Sequence, residues 1–150
     1  MRLKPLDQKG SLKIVYVTTV AWVIAQGIKV LIYWYRHHKI NFRLFVGSGG
    51  MPSSHSALVS CLATTIGLET SWDSPVFLLA VGMALIIMTD AAGVRRAAGQ
   101  QAKILNEIVD DYYSSKPFAN KRLKELLGHT PVQVFVGALL GIGIALLLYR

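Results

Sequence analysis

Two histidines draw attention because each stands where a helix is about to begin. The first lies in Gly49-Gly50-Met51-Pro52-Ser53-Ser54-His55-Ser56. Its glycines allow unusual backbone angles and close ligand approach. Proline suits a helix start, and Ser53 or Ser54 can cap it. A helix N-terminus exposes unpaired N–H groups and the positive end of its dipole, which together hold a phosphate. His55 would sit in that first turn, able to exchange a proton with a bound ester oxygen. A serine-capped helix with an incidental histidine is the plainer reading. The second is in Gly128-His129-Thr130-Pro131-Val132-Gln133. Thr130 is a good N-cap, Pro131 a good first helical residue, and Gln133 closes a Thr-x-x-Gln capping box. Helix capping accounts for each of these three residues but not for His129.

Cations complete the pattern. Lys29 lies inside an otherwise apolar stretch, and Arg36 follows seven residues later, near the same helix face. A charge within such a stretch faces a polar cavity or a partner, unless its stem snorkels to the interface. Arg95 and Arg96 come five and six residues after Asp90. Arginines bind phosphate bidentately, although basic cytosolic loops are common and Asp90 can simply neutralise one of them. Two histidines with several cations suit phosphoryl transfer through a phosphohistidine. One imidazole attacks, the other protonates the leaving oxygen, and the cations stabilise the charge on the transferring group. A rival chemistry would place a divalent metal on Asp90, Glu107, Asp110 and Asp111. Glu107 and Asp111 share a helix face, but an acidic helix end explains them more simply.

The elements that must position these residues are apolar helices. The chain has 150 residues, 53% of them hydrophobic, with a formal net charge of +8 and a mean hydropathy of +0.44. The apolar residues are concentrated in long, nearly charge-free runs, which points to lipid contact. The excess of Lys and Arg then suits anionic headgroups and a phosphorylated substrate. The basic residues cluster beside the apolar runs, so nucleic acid is not an expected partner. The lone Cys61 excludes an intrachain disulfide. The first apolar run is too long for a signal-peptide core and reads as a retained helix.

These features predict an all-α integral membrane bundle forming a single domain, 1–150. About four transmembrane helices are expected, near 12–35, 54–70, 75–94 and 131–149, with an amphipathic helix near 91–113. The second is short and rich in Ser, Thr and Ala. Gly137-x-x-x-Gly141 in the last is suited to close helix packing and is a candidate contact between copies. Four crossings place the loops at 36–53 and 95–130 on one side, which brings Lys29, Arg36, His55, Arg95, Arg96 and His129 to one membrane face. Setting Lys29 aside, that side carries ten Lys or Arg and the other five, so the positive-inside rule favours a cytosolic site.

On these residues the chain resembles the superfamily of type 2 phosphatidic acid phosphatases and vanadium-dependent haloperoxidases. It is most similar to the small divergent branch found in bacteria and plastids. Of the superfamily's three signatures, Lys-x6-Arg-Pro is matched by Lys29-x6-Arg36, with His37 in place of proline. Pro-Ser-Gly-His is matched by Pro52-Ser53-Ser54-His55, with serine for glycine. Ser-Arg-x5-His-x3-Asp is matched only in its second half, by His129-x3-Gln133 followed by Gly137-Ala138-Leu139-Leu140-Gly141. Leu123 stands where its arginine is expected, a cation that Arg95 or Arg96 can replace. The resemblance implies hydrolysis of phosphate monoesters, lipid phosphates foremost, without metal or other cofactor. By position it makes His129 the nucleophile and His55 the general acid. Lys29, Arg36, Ser53, Ser54 and Arg95 or Arg96 would bind phosphate, with Asp90 and Gln133 in support. Gln133 departs from the acidic residue of the pattern and supplies no charge to the histidine. The alternative is a weak or inactive homologue that binds anionic lipid or a protein partner. The expected partners are a phosphorylated lipid and membrane lipids. The expected location is the cell (inner) membrane, as a multi-pass protein, or a plastid membrane if the source is a plant.

Overall fold

The computed structural model of the chain describes residues 8–39, 50–112, 123 and 128–149; Arg43, Gly49 and nearly all of the connector 113–127 lie outside them. The described residues form five helices and no strands: α1 (Gln8–His37), α2 (Ser54–Glu69), α3 (Pro75–Ala92), α4 (Val94–Tyr112) and α5 (Pro131–Leu148). The first helix is longer at both ends than its apolar run, so Arg36 continues the helix that carries Lys29. The chain is inside-out by the standards of a water-soluble protein. Large apolar side chains such as Leu12, Leu31, Leu79, Ile86, Phe135 and Leu147 are exposed, while Ser53, Ser54, Ser56, Thr65 and Lys29 are buried. Such a surface is stable in lipid, where apolar residues need no cover and polar groups must be satisfied inside.

Helices α1, α3 and α5 are long and apolar enough to cross a membrane. With 16 residues, α2 is shorter than such a span, yet it is the centre of the bundle, packed against α1, α3 and α5. Its polar composition is compatible with that position because its hydroxyls are satisfied within the helix. Ser60 Oγ donates to the Ser56 carbonyl at 2.7 Å, Thr64 to Ser60 at 2.8 Å and Thr65 to Cys61 at 2.9 Å. Each hydroxyl thus bonds back one turn and presents little bulk to its neighbours.

Small residues then let α5 approach closely. A Cβ on Gly137 would meet the Ser53 backbone, and one on Gly141 would meet the Ala57 carbonyl and Ser60 Oγ. The contact expected between copies through Gly137-x-x-x-Gly141 is therefore made inside one chain, because α2 already covers that glycine face. Ser60 Oγ adds a bond to the Ala138 carbonyl at 3.0 Å. By contrast α3 and α5 touch little, and an apolar groove of about 350 Å³ opens between them over α2, lined by Phe77, Val81, Leu85, Met88, Ile142 and Leu146 among others.

The two ends of the bundle differ. At one end Tyr149 donates its hydroxyl to Glu69 at 2.6 Å and lies under Lys13, whose ammonium is 4.6 Å from the ring centroid and 3.0 Å from the Tyr149 carbonyl. This clamp ties the start of α1 to the ends of α2 and α5. The opposite end holds the late part of α1, the starts of α2 and α5, and the α3–α4 junction. Both histidines singled out in the sequence lie there.

Candidate functional site

His129 is held by local chemistry that begins with a glycine. Gly128 adopts φ +84°, and a Cβ there would strike the backbone of Arg95 and Arg96. Only glycine lets the backbone pass so close to the α3–α4 junction. The His129 amide then donates to the Ala91 carbonyl at 2.9 Å, which fixes the residue against the end of α3. Beyond it, Thr130 caps α5 and the complete capping box forms. Gln133 N–H donates to Thr130 Oγ1 at 3.3 Å, and Gln133 Oε1 accepts from Thr130 N–H at 3.1 Å.

That same Oε1 lies 3.2 Å from His129 Nδ1. An amide oxygen can only accept, so Nδ1 must carry the proton and Nε2 must carry the lone pair. The capping box thereby sets the tautomer. The residue is 4% exposed, and Nε2 is buried with no hydrogen-bond partner among the described residues. Burial holds the His129 pKa below the ordinary histidine value; nearby Lys29 and His55 push the same way, while the Gln133 side-chain oxygen and the Gly50 backbone, which favour the charged ring, oppose. Its surroundings therefore favour the neutral, basic form of His129.

His55 arrives from the other helix start. Ser53 is the N-cap of α2, accepting from the Ser56 amide at 3.3 Å and from the Ser56 hydroxyl at 2.9 Å. Pro52 thus precedes the cap and is not the first helical residue. Ser53 N–H in turn donates to the Gln133 carbonyl at 3.0 Å, so the first turns of α2 and α5 are joined directly. Behind His55, the buried Lys29 ammonium donates to Ser54 Oγ at 3.0 Å. Lys29 is drawn inward to this serine and does not snorkel outward.

His55 and His129 line one pocket of about 200 Å³, together with Asp90, Arg95, Gly128, Ala91 and the apolar Ile86 and Ile87. It can hold several waters at about 30 Å³ each, the scale of a phosphoryl group. Arg95 Nε donates to Asp90 Oδ2 at 2.7 Å in a partly exposed ion pair. Of the two arginines that could supply the missing cation, Arg95 is the one at the pocket. Arg96 and Arg36 are exposed and do not line it; Arg36 lies two helical turns, about 10 Å, beyond Lys29. The structure therefore gathers His55, His129, Asp90 and Arg95 around one cavity, with Lys29, Ser53, Ser54 and Gln133 behind it. Gly128, Ala91, Ile86 and Ile87 were not singled out as site residues from the sequence. Gly128 alone had a readable signal, a glycine directly before a capped helix start.

The acidic set fares differently. Asp90 pairs with Arg95 and Glu107 with Lys103 at 3.7 Å. Among the described residues no three His, Cys, Asp or Glu side chains converge as a metal site would require.

Comparison with known proteins agrees with the motifs. No solved structure matches the chain. It is 44% identical over 139 residues to the uncharacterized membrane protein YuiD of Bacillus subtilis (strain 168), covering 85% of this chain and 88% of that protein. The sequence pattern described as the divergent PAP2 family matches residues 11–144. With nearly the whole chain matched, this membrane protein belongs to the divergent PAP2 family.

Proposed function

We propose that the protein hydrolyses phosphate monoesters, with lipid phosphates as the substrate class, through a phosphohistidine on His129. The observation that carries this reading is the pocket itself. It holds a buried imidazole nitrogen without a hydrogen-bond partner among the described residues, its lone pair set by Gln133, and a second imidazole and an arginine stand on the same cavity. In the first step His129 Nε2 attacks phosphorus, the P–N bond forms and the P–O bond to the alcohol breaks. His55, in its protonated form, gives its proton to the departing oxygen; burial, Arg95 and Lys29 hold its pKa below the ordinary histidine value. In the second step water attacks the phosphohistidine, His55 takes a proton from it, and the P–N bond breaks to release phosphate and restore His129. Arg95 uses Nε for Asp90, so its two terminal nitrogens are the donors a phosphate oxygen would take. Lys29 adds positive potential from behind Ser54.

The lipid part of the proposal is supported by the groove between α3 and α5. Its wall residues Leu85 and Met88 are neighbours on α3 of the pocket residues Ile86, Ile87 and Asp90. An acyl chain lying there would bring its headgroup toward the histidines.

The test is phosphate release by the purified protein from a panel of lipid phosphates, with a strong chelator present throughout. His129→Ala and His55→Ala are each expected to lower release at least about a hundredfold, the size of a lost nucleophile or acid–base group. Undiminished release from either folded variant would refute the assigned role. Absence of release from the intact protein on every lipid would refute the phosphatase reading.

A further inference from the structure

Helix α4 is the one element the site does not explain. It has 19 residues, and its only helix neighbour among the described residues is α3, from which it is separated by Gly93 alone. At 100° per residue its side chains divide into two arcs, with Gln101 the one polar residue inside the apolar arc. Val94, Ala97, Ala98, Ile104, Leu105, Ile108 and Val109 fall on one arc, and Arg96, Gln100, Lys103, Glu107 and Asp110 on the opposite one. The apolar arc is open: Val94 is 68% exposed, Ile104 55% and Ile108 56%. A different edge is covered. Gly99, Ala102 and Asn106 are buried, and the Asn106 amide clasps the Leu123 backbone with bonds of 3.0 and 3.1 Å.

We propose that α4 lies in the lipid headgroup layer beside the His55–His129 pocket, with its apolar arc sunk among the upper acyl chains. Three observations commit the occupant to lipid. The helix starts where the membrane-crossing α3 ends, so it begins at the bilayer surface. Its charged residues bar it from crossing the bilayer. Its apolar arc, about 140° wide, is wider than the two-position seam of a paired coiled coil and fits a helix lying flat on a membrane. Three cations (Arg95, Arg96, Lys103) balance three carboxylates (Glu107, Asp110, Asp111), so apolar burial drives this seating and anionic lipid is not required. The arrangement reaches the site because Arg95, in the first turn of α4, lines the pocket, and Gly128 is pressed against the Arg95–Arg96 backbone. Seating α4 at headgroup depth holds the arginine and the His129 loop at the level where a lipid's phosphate resides. The seating itself does not depend on the phosphatase reading.

The experiment uses the full chain with Cys61→Ala and one further substitution, Ile104→Cys or Ile108→Cys on the apolar arc and Gln100→Cys or Lys103→Cys on the polar one. Each is spin-labelled and reconstituted into phosphatidylcholine vesicles, and its relaxation by oxygen and by a water-soluble nickel chelate is measured. The oxygen-to-nickel ratio at 104 and 108 is expected to be several-fold above that at 100 and 103, and unchanged when phosphatidylserine is added. Equal ratios on both arcs would overturn the proposal. So would labels at 104 and 108 that are shielded from both reagents and coupled to labels on a second copy, since a protein partner would then be the occupant.

Discussion

Gln133 offers the sharpest test of how the site is built, because one oxygen does two jobs. It accepts from the Thr130 amide at 3.1 Å and from His129 Nδ1 at 3.2 Å. At about 0.5–1.5 kcal/mol per net hydrogen bond, Gln133→Ala should cost about 1–3 kcal/mol of stability. The bond to Nδ1 alone, at about 1 kcal/mol, biases the tautomer about fivefold toward a free Nε2. With the ring also released, activity should fall about ten- to a hundredfold, as for other partners that orient a reactive histidine. Gln133→Glu separates charge from geometry, since glutamate at the same position also completes a capping box. A carboxylate against the imidazole favours the protonated ring and should raise the His129 pKa by about 1–3 units. In the native protein burial keeps His129 below its ordinary value of 6.5, so the acid limb, set by protonation of this ring, should lie below that. Deprotonation of His55, whose pKa is lowered by burial, Arg95 and Lys29, sets the basic limb. In Gln133→Glu the same acid limb should move to higher pH. Nitrogen-15 NMR of labelled histidines reads the tautomer and the titration directly, and phosphate release against pH reads the limb. A native His129 with its proton on Nε2, or a Gln133→Glu variant with unchanged titration, would refute the reasoning.

Other expectations follow from packing and charge. Gly137→Ala and Gly141→Ala push a methyl into the backbone of α2 and should each destabilise the bundle by about 1–3 kcal/mol. Gly143→Ala, which meets nothing within 4 Å, should be neutral or stabilising by up to about 1 kcal/mol; thermal unfolding in detergent compares the three. Ser54→Ala removes the hydroxyl that accepts from the buried Lys29 ammonium at 3.0 Å and should cost about 1.5–3 kcal/mol in the same measurement. Asp90→Asn frees Arg95 from a partly exposed pair worth about 0.2–1 kcal/mol. Binding of inorganic phosphate, measured by calorimetry, should tighten by up to about fivefold.

What was readable in the sequence is what local chemistry decides. The starts of α2 and α5 were legible because a capping serine or threonine and a nearby proline act within a few residues. Both histidines, adjacent to these caps, could be placed with them. The pairing of Asp90 with a following arginine was also foreseeable from proximity. The choice of Arg95 over Arg96 was not, because it depends on how α4 leaves Gly93. Arg36 shares the face of Lys29 by helical spacing, but spacing says nothing of height, and two turns remove it from the cavity. Helix α2 was the hardest to read. Hydropathy treats its serines and threonines as polar, whereas their hydroxyls are satisfied by the preceding turn. Gly137-x-x-x-Gly141 marks a close packing partner without naming it, and only the three-dimensional arrangement identifies α2 of the same chain.

The brevity of α2 has a consequence for the surrounding bilayer. Its 16 residues rise about 24 Å, against a hydrocarbon core of about 30 Å. A bilayer matched to α2 at both ends would be thinner there by about 6 Å. Such thinning would give water a route to the pocket beside His55. Lipid chain length thus becomes a control on the extent of the thinning, with short-chain bilayers matching α2 and thick ones needing the most.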